Sequence, residues 1–319
     1  MIKSGVEMQS MNPNRAAVSD KTNDFAGRAA DVSRPRVSFA IPVRNGERFL
    51  GRALESILVQ NFDNFEIVVC DNASTDGTGD VVQRFGKRSH RVRYVRNEVD
   101  IGQIENFNRV YELSRGEFIR WMGADDWLDP DYARKCVAAL DARPDAVGVT
   151  TQWRLVDDKG YVESLDVPGP RVDALTPLRR LQLVLRLLQG HRLLFDPIYS
   201  LLRRNALEHT GLLPVNRWTD RILAVELCLL GSFCHLDDCL STRRNARESR
   251  DVRLPRFHER YKGGPREHRW MLYTAYANIV RRAPLTAWQK INCWGTIMVY
   301  WLRDEFRRRE RRLKRILKK

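Results

Sequence analysis

Two adjacent carboxylates, Asp125 and Asp126, follow the apolar run 117–122 in the turn Gly123-Ala124-Asp125-Asp126, and their chemistry is the plainest in the chain. Mg²⁺ and Mn²⁺ prefer hard oxygen ligands and are typically held by one or two carboxylates together with substrate phosphate. One aspartate pair at a strand end can therefore seat such an ion. Asp126 is the first choice as direct ligand, and Asp125 as a ribose or metal partner. An isolated aspartate pair is also common in solvated loops and caps, so its meaning depends on its companions. Asp71 is the first of these, opening Asp71-Asn72-Ala73-Ser74-Thr75-Asp76-Gly77-Thr78 after the apolar run 65–70. A carboxylate at that place can accept a hydrogen bond from the imide N–H of uracil or thymine. The same turn has the composition of a helix cap, the reading preferred for Ser74 and Asp76. A third polar strand end reads Pro42-Val43-Arg44-Asn45-Gly46-Glu47.

The elements that must position these groups follow from apolar spacing. Val37, Phe39, Ile41 and Val43 alternate as in a strand, and 65–70 is a short continuous apolar run, as in a strand covered on both faces. Helices are expected over 48–60, from within the DNASTDGT turn, and over 104–113 and 131–140, with further strands at 92–95 and 117–122. Four strand-helix units within about 105 residues predict an α/β fold around a parallel-centred sheet with right-handed crossovers. Ligands of such sheets bind beyond the carboxyl ends of the strands, where the three polar turns lie. Past residue 145 the pattern predicts a strand at 146–152, a Leu-rich helix at 177–189, a strand at 198–202 and a helix at 220–230, extending the same sheet.

With 319 residues, 43% apolar and 30% charged, the chain can bury a full core, which excludes a disordered polymer and a disulfide-stapled miniprotein. The formal charge of +15 suits nucleic acid, an anionic membrane or a phosphorylated substrate. Its location discriminates among them: residues 301–319 hold ten basic side chains against three acidic ones, almost half the excess. Just before that run, 291–302 is largely apolar and aromatic. Twelve residues are too few to span a bilayer, which takes about 20, but they suit a membrane interface. Each base near an anionic leaflet adds about 1 kcal/mol. The alternative is a final helix packed on the domain with a basic end. The six cysteines form no C-x-x-C pair and no apolar signal segment opens the chain, which implies a reducing, cytoplasmic compartment. Cys228, Cys234, His235 and Cys239 match no zinc spacing and are expected to pack in the core.

Five stretches, taken in order, resemble the family 2 inverting glycosyltransferases of GT-A fold over roughly 36–245: VSFAIPVRNGERFL at 37–50, SILVQ at 56–60, FEIVVCDNASTDGT at 65–78, IGQIENFNRVYELSRGEFIRW at 101–121 and GADDWLDPD at 123–131. The resemblance implies a nucleotide-binding, mainly parallel central sheet flanked by helices, with a C-terminal helical extension. On this scheme 1–35 is a disordered leader and 36–145 the nucleotide-sugar half. Residues 146–260 form the acceptor half, and 261–319 a helical, amphipathic, basic tail. It further implies that Pro42, Arg44 and Glu47 border the nucleotide and that the stretch with Asn97, Gly102 and Asn108 approaches the nucleotide or sugar, Asn106 and Asn108 being equally readable as helix-surface residues. Arg243 and Arg244 match the place of a basic loop over the diphosphate, with a plain solvated loop as the alternative. Arg44 departs from the aromatic residue often found at its place, and Gly123 from an additional Asp. Inversion needs a base for the acceptor hydroxyl. Asp220 matches that position in GLLPVNRWTDRILAVELCLLGSF, although Thr219 replaces the usual Glu, and Glu226 is the weaker candidate.

The activity so implied moves a sugar from a nucleoside-diphosphate donor, UDP or dTDP type, to a saccharide or lipid-linked acceptor with Mg²⁺ or Mn²⁺, in cell-surface polysaccharide or glycolipid synthesis. Two rivals fit less well. A nucleotidyltransferase usually opens with a Gly-rich basic phosphate loop, which PVRNGE is not. A nucleic-acid binder would spread its bases over the folded surface, whereas here they concentrate in the tail.

Overall fold

The computed structural model describes residues 34–157, 160, 162–165, 171–174, 176–189, 197–216, 218–244 and 265–316. The expected leader lies outside the described residues except for Arg34 and Pro35, as does the end of the expected acceptor half beyond Arg244.

The chain begins as the apolar alternation predicts, with strand β1 (Val37–Val43), helix α1 (Glu47–Leu58), strand β2 (Phe65–Asp71), helix α2 (Thr78–Arg88), strand β3 (Val92–Arg96), helix α3 (Gln103–Leu113) and strand β4 (Phe118–Trp121). In α1, Leu50, Ala53, Leu54 and Ile57 recur at helical spacing and are the buried positions, so this face seats the helix on the sheet. Every residue of β2 is buried. Its Ile67 and Val69 join the core beneath α1 and α2, and its Val68 and Cys70 join the core that includes α3. A central strand covered on both faces has no polar side, which is why its sequence runs apolar without alternation.

After β4 come a two-residue strand β5 (Trp127–Leu128), helix α4 (Tyr132–Asp141), the long strand β6 (Ala146–Val156), strand β7 (Val162–Leu165) and helix α5 (Pro177–Gln189). A short 3₁₀ turn at Pro197–Tyr199 precedes strand β8 (Leu201–Arg203), where one strand over 198–202 is expected; Pro197 opens the turn and the strand starts only beyond it. Helices α6 (Arg204–Glu208) and α7 (Thr219–Leu230) follow, then strand β9 (Ser232–Arg244), which the sequence reading did not anticipate. Helices α8 (Pro265–Arg282) and α9 (Ala287–Ile316) end the described chain.

The nine strands among the described residues form one sheet in the order β3-β2-β1-β4-β8-β6-β9-β5, with β7 paired to β6. β3, β2, β1 and β4 run parallel, and β8 is antiparallel to both β4 and β6. The sheet is mixed and continues without a break past residue 145. Chain order runs outward from β1 to β2 and β3 on one side and returns to β4 on the other. The crevice of an open α/β sheet lies at such a reversal, here between the carboxyl ends of β1 and β4.

Candidate active site

Three loops meet at that reversal. The loop after β1 and the loop after β2 are stitched together: Asn45 N–H donates to Ser74 Oγ at 2.9 Å, Gly46 N–H to Thr78 Oγ1 at 2.8 Å and Thr75 N–H to Asn45 Oδ1 at 2.8 Å. Asn45 holds φ of 53° and Ala73 of 56°. Asn enters the left-handed region at modest cost, but Ala does so only where its surroundings fix it. The loop after β4 touches the first of these, since a Cβ added to Gly46 would come 3.5 Å from the Ala124 Cβ.

Asp71 is 0% exposed and its carboxylate already accepts several bonds. Ser74 N–H donates to Oδ1 at 2.8 Å, and Tyr94 Oη and Arg96 Nη1 approach Oδ2 at 2.6 and 3.2 Å. Burial, with Asp71 alongside, raises the Tyr94 hydroxyl well above its ordinary range, so it stays a donor. Asp71 therefore serves as the brace of its own turn. Glu47 caps α2, accepting from Gly77 N–H at 3.0 Å, and Asp76 accepts from Glu47 N–H at 3.1 Å and Thr78 N–H at 3.1 Å. Arg44, beyond the end of β1, pairs with Asp100, which also receives the Asn72 side-chain amide. Pro42 is half-buried within β1, opposite Cys70 in the register.

Asn97 and Asn106 are buried and bonded to each other at 3.0 Å, and Asn106 donates to the Cys70 carbonyl at 2.9 Å. They hold α3 against β2. Asn108, expected either to border the nucleotide or to lie on the helix surface, stands on α3 facing the 211–213 loop. Its amide donates to the Leu213 carbonyl at 2.9 Å and accepts from Leu213 N–H at 3.1 Å, so both ends are spent tying α3 to the 211–213 loop.

Asp125 and Asp126 meet the end of β9. Arg244 N–H donates to Asp126 Oδ1 at 3.2 Å, and Arg244 Nε lies 3.4 Å from Asp125 Oδ2. The same guanidinium stacks 3.9 Å over the Phe49 ring of α1. Three distant stretches thus converge on the aspartate pair. Arg243 and Arg244 are the last residues of a paired strand, which corrects their assignment to a loop. Arg243 lies 3.5 Å over the Tyr199 ring and 4.8 Å from that of Trp153. Asp126 is 5% exposed, and burial pushes its carboxyl up to about 6, with Asp125 adding to the rise against the opposing charges of Arg243 and Arg120. A Cβ on Gly123 would stand 2.7 Å from Asp126 Oδ2, so the residue absent from the wider acidic motif leaves the room that Asp126 occupies.

The sequence reading missed Arg120, a fully buried arginine on β4 whose guanidinium faces the rings of Tyr132 and Tyr199 at 5.3 and 5.4 Å and donates to the Trp121 carbonyl at 2.7 Å. Its signal was a lone charge inside the apolar run Phe118-Ile119-Arg120-Trp121. Tyr199 and Trp153 carried no comparable signal.

The two adjacent carboxylates are hard anionic donors and fit Mg²⁺ or Mn²⁺. No cluster of three or more His, Cys, Asp or Glu suited to a metal occurs among the described residues, so substrate phosphate and water would complete the coordination. Asp220 stands half-buried in the first turn of α7, which packs on the Pro197–Tyr199 turn beneath Arg243. Glu226, further along α7, accepts from Gly211 N–H at 3.3 and 3.2 Å through its two oxygens, and burial lifts its carboxyl to about 7. A separate cleft lined by Arg34, Pro35, Ser114, Arg115, Arg204 and Glu208 lies by the amino-terminal ends of β1 and β4 and shares no residue with this site.

The profile of glycosyl transferase family 2 matches residues 38–211, more than half of the chain. The chain belongs to that family. This glycosyl transferase family 2 member is 32% identical over 117 residues to EpsH of Bacillus subtilis, covering 36% of this chain and 33% of that protein. It is 32% identical over 97 residues to the glycosyltransferase GlyA of Streptococcus pneumoniae, covering 30% of this chain and 14% of that protein. Chondroitin synthase of Escherichia coli is 32% identical over 130 residues, 41% of this chain and 19% of the relative. The match thus spans a third or less of these relatives' lengths. Among solved structures, S. aureus TarS residues 1–349 in complex with UDP-GlcNAc superposes with a TM-score of 0.64 at 17% identity, over 83% of this chain and 72% of that one. That likeness shows the shared GT-A fold.

Proposed function

We propose that the chain is a metal-dependent inverting glycosyltransferase that moves a sugar from a nucleoside-diphosphate donor to an acceptor hydroxyl in cell-surface polysaccharide or glycolipid synthesis. The observation that carries this is the convergence of Asp125 and Asp126 with Arg244 and Arg243 at the sheet reversal. Carboxylates for a cation and arginines for phosphate there share one edge with the β1 and β2 loops. A UDP-type donor is favoured, in keeping with the UDP and UDP-GlcNAc complexes of TarS.

In this reading Asp126, with Asp125 beside it, holds Mg²⁺ or Mn²⁺. When bound, the ion neutralises charge on the departing diphosphate. Arg243 and Arg244 stabilise the same charge by charge-assisted hydrogen bonds. Pro42, Arg44 and Glu47 line the approach to the nucleoside. Asp71 keeps the base-reading loop in shape and would accept the imide N–H of the base. Asp220 takes the proton of the acceptor hydroxyl as its oxygen bonds to the anomeric carbon, while the bond from that carbon to the diphosphate oxygen breaks on the opposite face. The acceptor is a saccharide or lipid-linked sugar. The basic tail suits an anionic, cytoplasmic membrane face, where such an acceptor would be presented.

The test is a panel of nucleotide sugars incubated with Mn²⁺, Mg²⁺ or chelator and scored for released nucleoside diphosphate. The reading expects release from one nucleotide class with metal, and its loss in Asp126→Ala with an unchanged fold. Pyrophosphate as the product, or metal-independent release, would overturn it.

A further inference from the structure

α9 is docked on one side only. Cys293, Ile297 and Tyr300 are buried at helical spacing, and the Tyr300 hydroxyl donates to the Gln182 carbonyl of α5 at 3.1 Å. Against α8 the helix runs antiparallel. Trp294 Nε1 donates to the Ala277 carbonyl at 3.2 Å, Tyr273 Oη to the Tyr300 carbonyl at 3.5 Å and Lys290 Nζ to the Arg281 carbonyl at 2.8 Å. Contacts to two helices fix the rotation of α9, so its other face cannot turn inward.

That face is mostly apolar, its one carboxylate being Glu305 near the basic end, 4.0 Å from Arg309. Trp288, Ile291, Trp294, Met298, Leu302 and Phe306 are exposed, Trp288 at 70% and Phe306 at 69%. At 100° per residue they fall in one band on the side opposite Cys293, Ile297 and Tyr300, about 27 Å long. Continuing the α8–α9 register sets Trp270, also 69% exposed, level with Leu302, so the band widens onto the second helix. A soluble surface rarely leaves so many large aromatic and aliphatic side chains contiguous and uncovered.

Charge identifies what covers it. The basic run begins at Arg303, within the same helix, and carries ten bases against three acids by the end of the chain. Tryptophan and phenylalanine beside arginine and lysine are the composition of a helix that lies in the headgroup region of an anionic bilayer. No helix among the described residues is long and apolar enough to cross one. We infer that α9 lies in the plane of an anionic lipid surface, with the band from Trp288 to Phe306 immersed and the basic end on the headgroups. This rests on the membrane reading above and deepens it by naming the immersed face. A second copy of the chain would lack the charge complement, because it would bring the same positive end.

The test uses the full chain with vesicles of phosphatidylcholine alone or with 30% phosphatidylglycerol, at 0.1 and 0.5 M NaCl, measuring co-sedimentation and quenching of tryptophan fluorescence by brominated lipid. Trp288→Ser/Ile291→Ser/Met298→Ser/Phe306→Ser, which spares the Trp294 bond to α8, is compared with the parent, and thermal melting confirms that both are folded. The expected result is binding to the anionic vesicles with quenching, residual binding at 0.5 M NaCl, and at least a tenfold loss of affinity in the variant. Parent-like binding by the variant would overturn the immersed face while leaving attraction by the basic tail intact. An absence of parent binding to anionic vesicles would overturn both. A concentration-dependent parent dimer that the variant converts to monomer would assign the face to self-association and overturn the inference.

Discussion

The backbone N–H of Arg244, the last residue of β9, donates to Asp126 Oδ1 at 3.2 Å, so the far side of the sheet holds the carboxylate that follows β4. The Arg244 side chain turns to Asp125 and to the ring of Phe49, which closes a link between the first and the last elements of the site.

Arg244→Ala keeps the backbone bond but removes the ion pair and the stacking on Phe49. Donor KM in the nucleoside-diphosphate release assay should rise about tenfold, equivalent to roughly 1.4 kcal/mol, with a smaller change in kcat. Arg244→Lys should restore the charge but not the stacked, planar fork, and recover only part of the loss.

Asp126 is held at a stability cost. Burial pushes its carboxyl from the ordinary 3.8 up to about 6 in the folded chain. Between these values the folded state binds more protons than the unfolded one, so stability falls as pH rises through that window and the penalty is complete above pH 6. Asp126→Asn should therefore raise the melting temperature at pH 8 by several degrees and have little effect at pH 4, while abolishing turnover. Scanning calorimetry at the two pH values reads the difference.

Glu226 separates structure from chemistry. Its carboxyl is lifted to about 7 by burial, so its contribution also turns unfavourable as pH rises from 4.5 through 7. Glu226→Gln should flatten the stability-pH curve in that window and keep near-parental kcat. Asp220→Asn should lower kcat by a factor of 10² to 10⁴ with donor KM preserved, as removal of a general base does. Inactivity of the Glu226→Gln protein beside an active Asp220→Asn protein would transfer the base role.

Asn108→Ala should cost about 1 to 3 kcal/mol in urea unfolding, because two bonds to the Leu213 backbone disappear together. Donor KM should stay within twofold. A selective rise in KM without destabilisation would return Asn108 to the nucleotide site.

Gly123→Ala brings a Cβ to 2.7 Å from Asp126 Oδ2. The Asp126 carboxylate must shift to relieve this contact, and the Mn²⁺ concentration for half-maximal turnover should rise severalfold. Equal metal dependence in both proteins would show that the carboxylate is not the ligand.

The sheet's parallel half was readable because β1 and β2 are short apolar runs, each followed by an amphipathic helix, as in Leu50, Ala53, Leu54 and Ile57 of α1. β9 was not. Its middle, His235 to Asp238, carries polar and charged side chains and the pairing with β6 is bulged, so the pattern hides a strand that long-range pairing creates. Aspartates at strand ends stood out by type and place. Asn108 was open in the sequence because an amide on a helix near the site can serve a backbone as well as a ligand, and its partner Leu213 lies 105 positions away. Arg120, Tyr199 and Arg243 form a stack from three separate elements, a relationship that spacing along the chain cannot encode.

The central claim, that Asp126 anchors a metal-dependent nucleotide site, is tested most directly by calorimetric titration of UDP, dTDP and GDP into the chain and into Asp126→Asn, with Mn²⁺ and with chelator. One diphosphate should bind the parent at least tenfold more tightly with Mn²⁺ than without, and the gain should vanish in the variant. Equal affinities in all four conditions would contradict it.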